Sequence, residues 1–240
     1  MFLTNGVRVK YGVRMTQDPP WRTPPVKPAA KPRLSQELIV RTGLDVLLRE
    51  GLDAVSMRRV AQALGTGPAS LYAHVATKDE LVELMLDQVL EEVPLPAPDP
   101  ERWRDQVREL LRAQVGAMRS YPGIAKVAWQ VMIPVGPNAL RHAEALLSLL
   151  RAGGLPLTRA AYAADALALY TKAFAYEGSM WGAVDQTEIA ARGRRMGEYL
   201  ASLPPDAFVH VPATGHLFTA ETAAERFEFG LDMLLGGLRA

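Results

Sequence analysis

The sequence predicts an all-α protein. From Leu34 onward, apolar residues recur at the three- and four-residue spacing of amphipathic helices, and strand-like alternation is absent. Residues that commonly start helices, namely Ser35, Ser56 and Thr77, stand just before these stretches, and Gly or Pro follows them. Of the 240 residues, 49% are hydrophobic and 22% charged, which is the balance of a globular protein. This length suits one large domain or two smaller ones.

The first 33 residues precede the helical pattern. They hold seven Lys and Arg residues against a single Asp, and the segment DPPWRTPPVKPAAKP is rich in proline. Such sequence without apolar periodicity favours an extended polyproline conformation. We predict a basic, flexible arm over residues 1–33, with Met15 as an alternative start of translation.

Four helices are predicted in the next 60 residues or so. Ser35, Ser56 and Thr77 are N-cap residues for three of them, because a side-chain oxygen can accept from the first free backbone amides. Glu80 completes a capping box with Thr77. Pro68 begins the remaining helix, since proline is favoured at the first helical position. The predicted helices cover about residues 35–51, 57–64, 68–75 and 77–92.

Beyond Pro100 the pattern stays helical to the end of the chain, with loops at RAGGLPLTR and PPDAFVHVPATGH. No apolar run approaches the roughly 18–20 residues that a membrane span needs. The absence of cysteine excludes disulfides and thiolate metal sites and is compatible with the cytoplasm, where we expect the protein. The predicted helices cover about residues 101–119, 122–133, 137–153, 158–183, 186–202 and 220–238.

The second and third predicted helices have the dimensions of a helix-turn-helix, because two short helices flank a three-residue turn that contains glycine. A helical hairpin inside a bundle has the same spacing, so the side-chain faces have to decide. At 100° per residue, Pro68, Leu71 and Val75 fall together as an apolar inward stripe. The opposite side holds no charged residue and consists of Ala69, Ser70, Ala73 and His74.

That small, uncharged side is unusual for a helix that only faces solvent. Short side chains allow a helix to lie deep in a major groove, where Ser can bond base edges and Ala can contact a thymine methyl group. The pattern therefore predicts that the third helix reads double-stranded DNA.

The stretch GLDAVSMRRVAQALGTGPASLYAHVATKDELVELMLDQVL resembles the N-terminal DNA-binding domain of the TetR family of bacterial transcriptional repressors. The resemblance covers about residues 34–80 and implies a support helix over 56–65 and a recognition helix over 68–75. Ala73 stands where many relatives carry a larger aromatic residue. Tyr72 and His74 would bond phosphates, although Tyr72 could instead pack between helices and His74 could be an ordinary surface histidine. The implied DNA-binding residues are Arg58, Pro68, Ala69, Ser70, Tyr72, Ala73, His74 and Lys78.

Residues 81–240 form the predicted ligand-binding and dimerisation domain. Aromatic and Met side chains lie near Gly and Pro breaks, where irregular helix ends leave room for a cavity, although each of them singly could belong to the core. The predicted pocket residues for a small apolar effector are Trp103, Met118, Tyr121, Trp129, Met132, Tyr170, Phe174 and Trp181.

The chain end AAERFEFGLDMLLGGLRA is similar to the terminal helix of the branch nearest the tetracycline repressor. The resemblance implies that helices 158–183 and 220–238 pack against their symmetry mates in a homodimer. The tetracycline repressor's magnesium-holding histidine has no match here, so no metal or cofactor is predicted. The predicted interface residues are Ala161, Ala164, Ala168, Phe227, Leu231, Leu234 and Leu235.

Together these features predict a repressor that binds a palindromic operator as a homodimer and is released when an effector shifts the spacing of its two recognition helices. A transcriptional activator of the same fold is an alternative, because the sign of regulation depends on where the operator lies. An enzyme is disfavoured, because the sequence has no Gly-rich phosphate loop, nucleophile elbow or His-Glu metal helix. A DNA-architectural protein is disfavoured by the mildly acidic residues 81–240.

Overall fold

The computed structural model describes residues 33–131, 136–182 and 184–239, and from Leu34 onward they belong to one compact unit. The predicted arm and the alternative start at Met15 lie outside the described residues. All regular structure in the described ranges is helical, which confirms the predicted fold class. The helices are α1 (Gln36–Glu50), α2 (Met57–Ala63), α3 (Pro68–Leu71), α4 (Lys78–Glu91), α5 (Trp103–Ser120), α6 (Ile124–Gln130), α7 (Pro137–Ala152), α8 (Leu157–Gly182), α9 (Gln186–Ala201), α10 (Val211–Thr214) and α11 (Ala223–Gly236).

The three predicted N-caps are confirmed. The side-chain oxygens of Ser35, Ser56 and Thr77 each accept from the backbone amide three residues further on, at 3.2, 3.1 and 3.0 Å. Glu80 turns back and accepts from the amide of Ala76, so the fourth helix begins with a capping box shifted by one residue. Each such cap stabilises its helix by about 1 kcal/mol.

Helix α2 ends in a Schellman motif. Gly65 has a φ of 63°, a left-handed conformation that L side chains rarely adopt. The amide of Gly65 donates to the carbonyl of Gln62, and the amide of Thr66 donates to that of Ala61. This geometry reverses the chain within three residues, so α3 can start at once.

Helix α3 is shorter than predicted. It ends at Leu71 rather than near Val75, and a tight turn follows in which the amides of His74 and Val75 both donate to the Leu71 carbonyl. Both Leu71 and Val75 are buried in the core of the N-terminal helices, whereas Pro68 is exposed and the predicted inward stripe was wrong at that residue. The turn keeps two apolar anchors inward before the Thr77 cap begins α4.

Helix α4 connects the N-terminal helices to the larger helical body. It packs against α1 on one side and against α5, α6 and α7 on the other. In the body, α5, α7 and α8 pack on one another around fully buried leucines such as Leu110, Leu149 and Leu167. Helix α8, with 26 residues, is about 39 Å long and carries α11 along its side. None of the described helices combines the length and apolar character that a bilayer crossing requires.

Candidate nucleic-acid interface

The flank of α3 predicted to read DNA is open in the structure. Within the described ranges no later helix covers it, and Tyr72 is 53% exposed, as expected for a side chain that can contact a phosphate rather than one packed between helices. The buried side chains of Leu71 and Val75 fix the orientation of this flank from behind. The flank continues from α3 into the turn after Leu71, and its exposed residues are Pro68, Ala69, Ser70, Tyr72, Ala73 and His74.

The Ser70 hydroxyl is oriented by a neighbour. Thr66 Oγ1 lies 3.2 Å from Ser70 Oγ and donates to it. Ser70 then keeps its own hydrogen for an outside acceptor, such as a purine N7 or O6. Ser70 was predicted from the sequence and Thr66 was not, because a side-chain contact across a helix start leaves no periodic signal.

The positive charges near this flank differ in how they are held. Arg58 and Lys78 are exposed, and Lys78 stands at the first position of α4, where the free amides also favour an anion. Arg59, by contrast, forms an ion pair with Glu50, with 2.8 Å between Arg59 Nε and Glu50 Oε2. The hydrogen bond from Arg59 lowers the pKa of Glu50. Arg58 and Lys78 are therefore open to solvent, whereas Arg59 is held by Glu50.

The start of α1 lies beside the turn that follows α3. Gln36 Nε2 donates to the His74 carbonyl at 3.2 Å, although the two residues are 38 positions apart. Gln36 at the start of α1 therefore lies next to the open flank. Gln36 was not predicted from the sequence, since only the tertiary fold brings these two residues together.

The predicted pocket residues do not gather around one cavity. Trp103, Met118 and Phe174 are buried in the packed core. Trp129 and Trp181 are 48% and 49% exposed. Trp129 stacks on Tyr176, a residue outside the prediction, with ring planes 14° apart. Met132 lies outside the described residues.

The two tyrosines of the predicted pocket are half-buried and use their hydroxyl groups. Tyr121 donates to Glu92 at 2.9 Å, and Tyr170 lies within hydrogen-bond distance of the carbonyl oxygens of Arg226 and Phe227. Burial raises the pKa of both tyrosines, so both hydroxyls stay protonated donors at neutral pH. Of the whole predicted set, Tyr170 and Phe174 are a neighbouring pair, with ring centroids 6.4 Å apart.

Two concavities are formed elsewhere, and none of the predicted pocket residues lines either of them. The first, of about 280 Å³, lies between α8 and α11, and the second, of about 250 Å³, lies between α4 and the start of α7. The first is lined by Arg159, Tyr162, Ala163, Ala166, Leu167, Leu234 and Leu238. The second is lined by Glu80, Glu83, Leu84, Leu86, Asp87, Val131, Gly136, Pro137 and Ala139. The described residues contain no group of three His, Asp or Glu side chains that could hold a metal ion.

The predicted dimer interface needs a correction. Phe227, Leu231 and Leu235 of α11 are buried inside the protomer's own core, at 4%, 0% and 0% exposure, so they are not available to a partner. The exposed side of α11 instead presents Phe229 and Met233, at 64% and 62%. The remaining predicted residues are exposed or half-buried: Ala161, Ala164, Ala168 and Leu234.

Two protein-family descriptions match this chain, one in its N-terminal helices and one in its helical body. The family described as "Bacterial regulatory proteins, tetR family" matches residues 39–85, and "Tetracyclin repressor-like, C-terminal domain" matches residues 95–240. A helix-turn-helix-type transcriptional regulator of Saccharopolyspora erythraea is 30% identical over 222 residues, which cover 92% of this chain and 91% of the relative. The class G tetracycline repressor protein of Vibrio anguillarum is 26% identical over 85% of this chain and 93% of its own length.

Among solved structures, the chain is similar to the Streptomyces coelicolor TetR family protein ActR in complex with actinorhodin. The TM-score is 0.79 at 39% sequence identity, and the match covers 86% of this chain and 95% of ActR. The similarity spans both the N-terminal helices and the helical body.

Proposed function

The chain belongs to the tetR family of bacterial regulatory proteins, as a helix-turn-helix transcriptional regulator, and on that premise we propose that it represses transcription as a homodimer on a palindromic operator and is released by a small effector. The observation that carries the proposal is the open, uncharged flank of α3, anchored from behind by buried Leu71 and Val75.

This flank suits the major groove. Ala69 and Ala73 add little bulk, so the helix backbone can approach the base edges, and Ser70 offers an oriented hydroxyl donor. Arg58 and Lys78 would hold the phosphates on either side and fix the register without reading sequence. The proposed base contacts per half-site are few, so a second copy on a symmetric half-site would be needed to reach useful affinity.

Dimerisation is supported by apolar surface on α8 and α11. Tyr162 and Leu169 of α8 are 73% and 47% exposed, and Phe229 and Met233 of α11 are more than half exposed. A cluster of exposed apolar side chains on neighbouring helices marks an association surface. We propose that α8 and α11 of one protomer pack against α8 and α11 of its partner through these residues, with small Ala161 and its neighbours allowing close approach.

The effector is proposed to be a small, largely apolar and aromatic molecule that binds in the helical body. ActR, a relative similar over most of both chains, is solved with actinorhodin, and the body of this chain carries the stacked pair Trp129 and Tyr176, with Trp181 five residues further along α8. Such a molecule would release the operator only by its preference for the non-binding conformation of the dimer.

The proposal is tested by selecting duplexes that the purified protein binds from a pool of random DNA. The selected duplex is then footprinted. We expect protection of one short palindrome, and a sedimentation mass of two chains. Ala73→Glu places a carboxylate on the reading flank and should abolish protection. Ala190→Glu, which adds the same group at an exposed position of α9, is the matched control and should bind normally.

Three results would count against the proposal: no selected sequence, broad protection without symmetry, or normal binding by Ala73→Glu. A reporter gene behind the selected palindrome then gives the sign of regulation. Lower expression in the presence of the protein supports a repressor, and higher expression contradicts it.

A further inference from the structure

Helix α7 starts with residues that cannot cap it themselves. Gly136, at the N-cap position, has no side chain, and Pro137 follows at the first helical position. The free amides of the first turn of this 16-residue helix therefore need an acceptor from elsewhere. A helix start buried without such an acceptor would cost free energy.

Asp87 of α4 supplies that acceptor. Its Oδ1 accepts from the amide of Ala139 at 2.9 Å, and its Oδ2 accepts from the amide and the side-chain Nδ2 of Asn138 at 3.3 and 3.0 Å. Asn138 Nδ2 also lies 3.2 Å from the Asp87 carbonyl. Asp87 is 8% exposed, and its carboxylate lies at the positive end of the α7 dipole.

The glycine at the start of α7 makes room for this carboxylate. A Cβ atom at Gly136 would overlap the Oδ1, Cγ and Cβ atoms of Asp87. Gly136 therefore provides no cap of its own and leaves the space in which the Asp87 carboxylate caps the helix. Any side chain at position 136 would push Asp87 away from the helix start.

A second buried polar contact lies one turn further along both helices. His142 of α7 is 5% exposed, and its Nε2 is 2.9 Å from the carbonyl of Leu90 in α4. A carbonyl only accepts, so Nε2 carries the hydrogen and Nδ1 accepts from Gln114 Nε2 of α5 at 2.9 Å. Burial is the main cause that lowers the pKa of His142; Arg141 acts in the same direction, and the Leu90 carbonyl and Asp87 oppose it.

We infer that these two contacts, Asp87 with Asn138 and Ala139, and Leu90 with His142, form an α4–α7 link that sets the angle of the DNA-reading helices relative to the body. The inference rests on the proposed function. Asp87 is a positioning residue in this scheme, since its carboxylate bonds the start of α7 and acts on the reading helices through α4.

The length of α4 makes small tilts matter. Lys78 at the start of α4 lies nine residues, or about 13.5 Å, from Asp87 along the helix. A tilt of about 10° at the link would displace Lys78 and the adjoining reading helix by about 2 Å. Shifts of that size at helix contacts are typical of switching proteins. The link would therefore keep the reading helices in a fixed register, and its loss would allow several.

The absence of cysteine allows a direct test. Cysteines introduced at two exposed alanines, Ala63 on α2 and Ala143 on α7, carry spin labels whose separation is measured by double electron–electron resonance. Labelled protein is diluted into excess unlabelled protein, so that only pairs within one chain are recorded, whether or not the chain dimerises. Each variant below is made in this background, and its thermal unfolding is measured beside the distance.

Asp87→Asn, Asp87→Ala and Gly136→Ala break the same contact from its two sides. We expect each to broaden the distance distribution about twofold or to shift its maximum by about 2 Å. Glu144→Gln removes one negative charge from the solvent side of α7, and Gly116→Ala replaces an exposed helix glycine with open space around it. Both controls should keep the wild-type distribution. Folded Asp87→Asn and Gly136→Ala proteins with an unchanged distribution would overturn the inference, even with a lower unfolding temperature.

The second measurement is affinity for the selected palindrome. Loss of the link should weaken binding about fivefold or more, in the range of typical couplings between sites, while Glu144→Gln should bind like the wild type. If no palindrome is selected, the proposed function fails, and the distance measurement still decides whether the link exists. If the palindrome binds equally well to Asp87→Asn and wild type, the inference fails and the proposed function stands.

Discussion

Lys78 is expected to contribute to DNA binding mainly through its charge, and the salt dependence of binding measures this directly. Its side chain is exposed at the first position of α4, where the helix amides also face an incoming phosphate. Replacing it by Gln keeps the helix start, because the cap is Thr77, and removes one cation per chain. The perturbation therefore separates charge from fold.

The magnitude follows from the number of phosphates that the protein neutralises. The slope of log affinity against log salt concentration falls by about 0.9 for each phosphate that is no longer neutralised, so a dimer with two Lys78→Gln chains should have a slope smaller by about 1.8. Between about 50 and about 200 mM salt, that difference corresponds to about a 12-fold smaller decrease in affinity. Because phosphate contacts carry no sequence information, the same change is expected on the selected palindrome and on an unrelated duplex.

Fluorescence anisotropy of a labelled duplex, titrated at four salt concentrations in that range, gives the slope. Arg58→Gln should produce a similar change, and the double variant about twice the change. Arg195→Gln removes an exposed cation from α9 in the body and is the matched control. A Lys78→Gln slope equal to that of the wild type, or an equal change in the control, would refute the assignment of Lys78 to a phosphate.

Three further outcomes follow from the sequence and structure. Deleting residues 1–30, which hold five Lys and Arg residues against one Asp, should flatten the salt dependence of operator binding; an unchanged slope would show that the arm makes no DNA contact. Burial keeps the pKa of His142 low in the folded chain, so on acidification this residue takes up a proton first in the unfolded chain. The free energy of unfolding should therefore be undiminished above about pH 6.5 and should fall below that pH. Denaturant titrations should show a smaller fall for His142→Gln. Gly230→Ala places a methyl group against the Tyr170 hydroxyl and should cost about 1–3 kcal/mol in chemical unfolding, whereas Gly116→Ala should cost nothing.

Local signals in the sequence were sufficient for most of the helices. A cap works through atoms within four residues, so Ser35, Ser56 and Thr77 could be identified from sequence alone, and the structure confirms them. The reading helix was found for the same reason, but its length was wrong. The turn after Leu71 depends on burying Val75 against other helices, which periodicity within one segment does not encode.

Contacts between distant parts of the chain could not be predicted from the sequence. An apolar stripe on a helix shows that the helix packs, not which partner it packs against, so Phe227, Leu231 and Leu235 were assigned to a partner protomer when they face their own core. For the same reason, the residues that were predicted to line one pocket lie partly in the core and partly on the surface. The contacts of Asp87 and His142 were not predicted, because the groups that these residues bond are 28 to 52 positions away in the chain.

The small number of base-contacting groups on the α3 flank limits how narrowly such a regulator can define its target sequence. One hydroxyl and two methyl groups per half-site can fix only a few base pairs, whereas singling out one locus among a million requires about ten fully specified positions. The shortfall has to be met by the DNA itself, through the flexibility of base pairs that no side chain touches. We therefore expect a short family of related target sequences rather than a single one, ranked by how easily each bends.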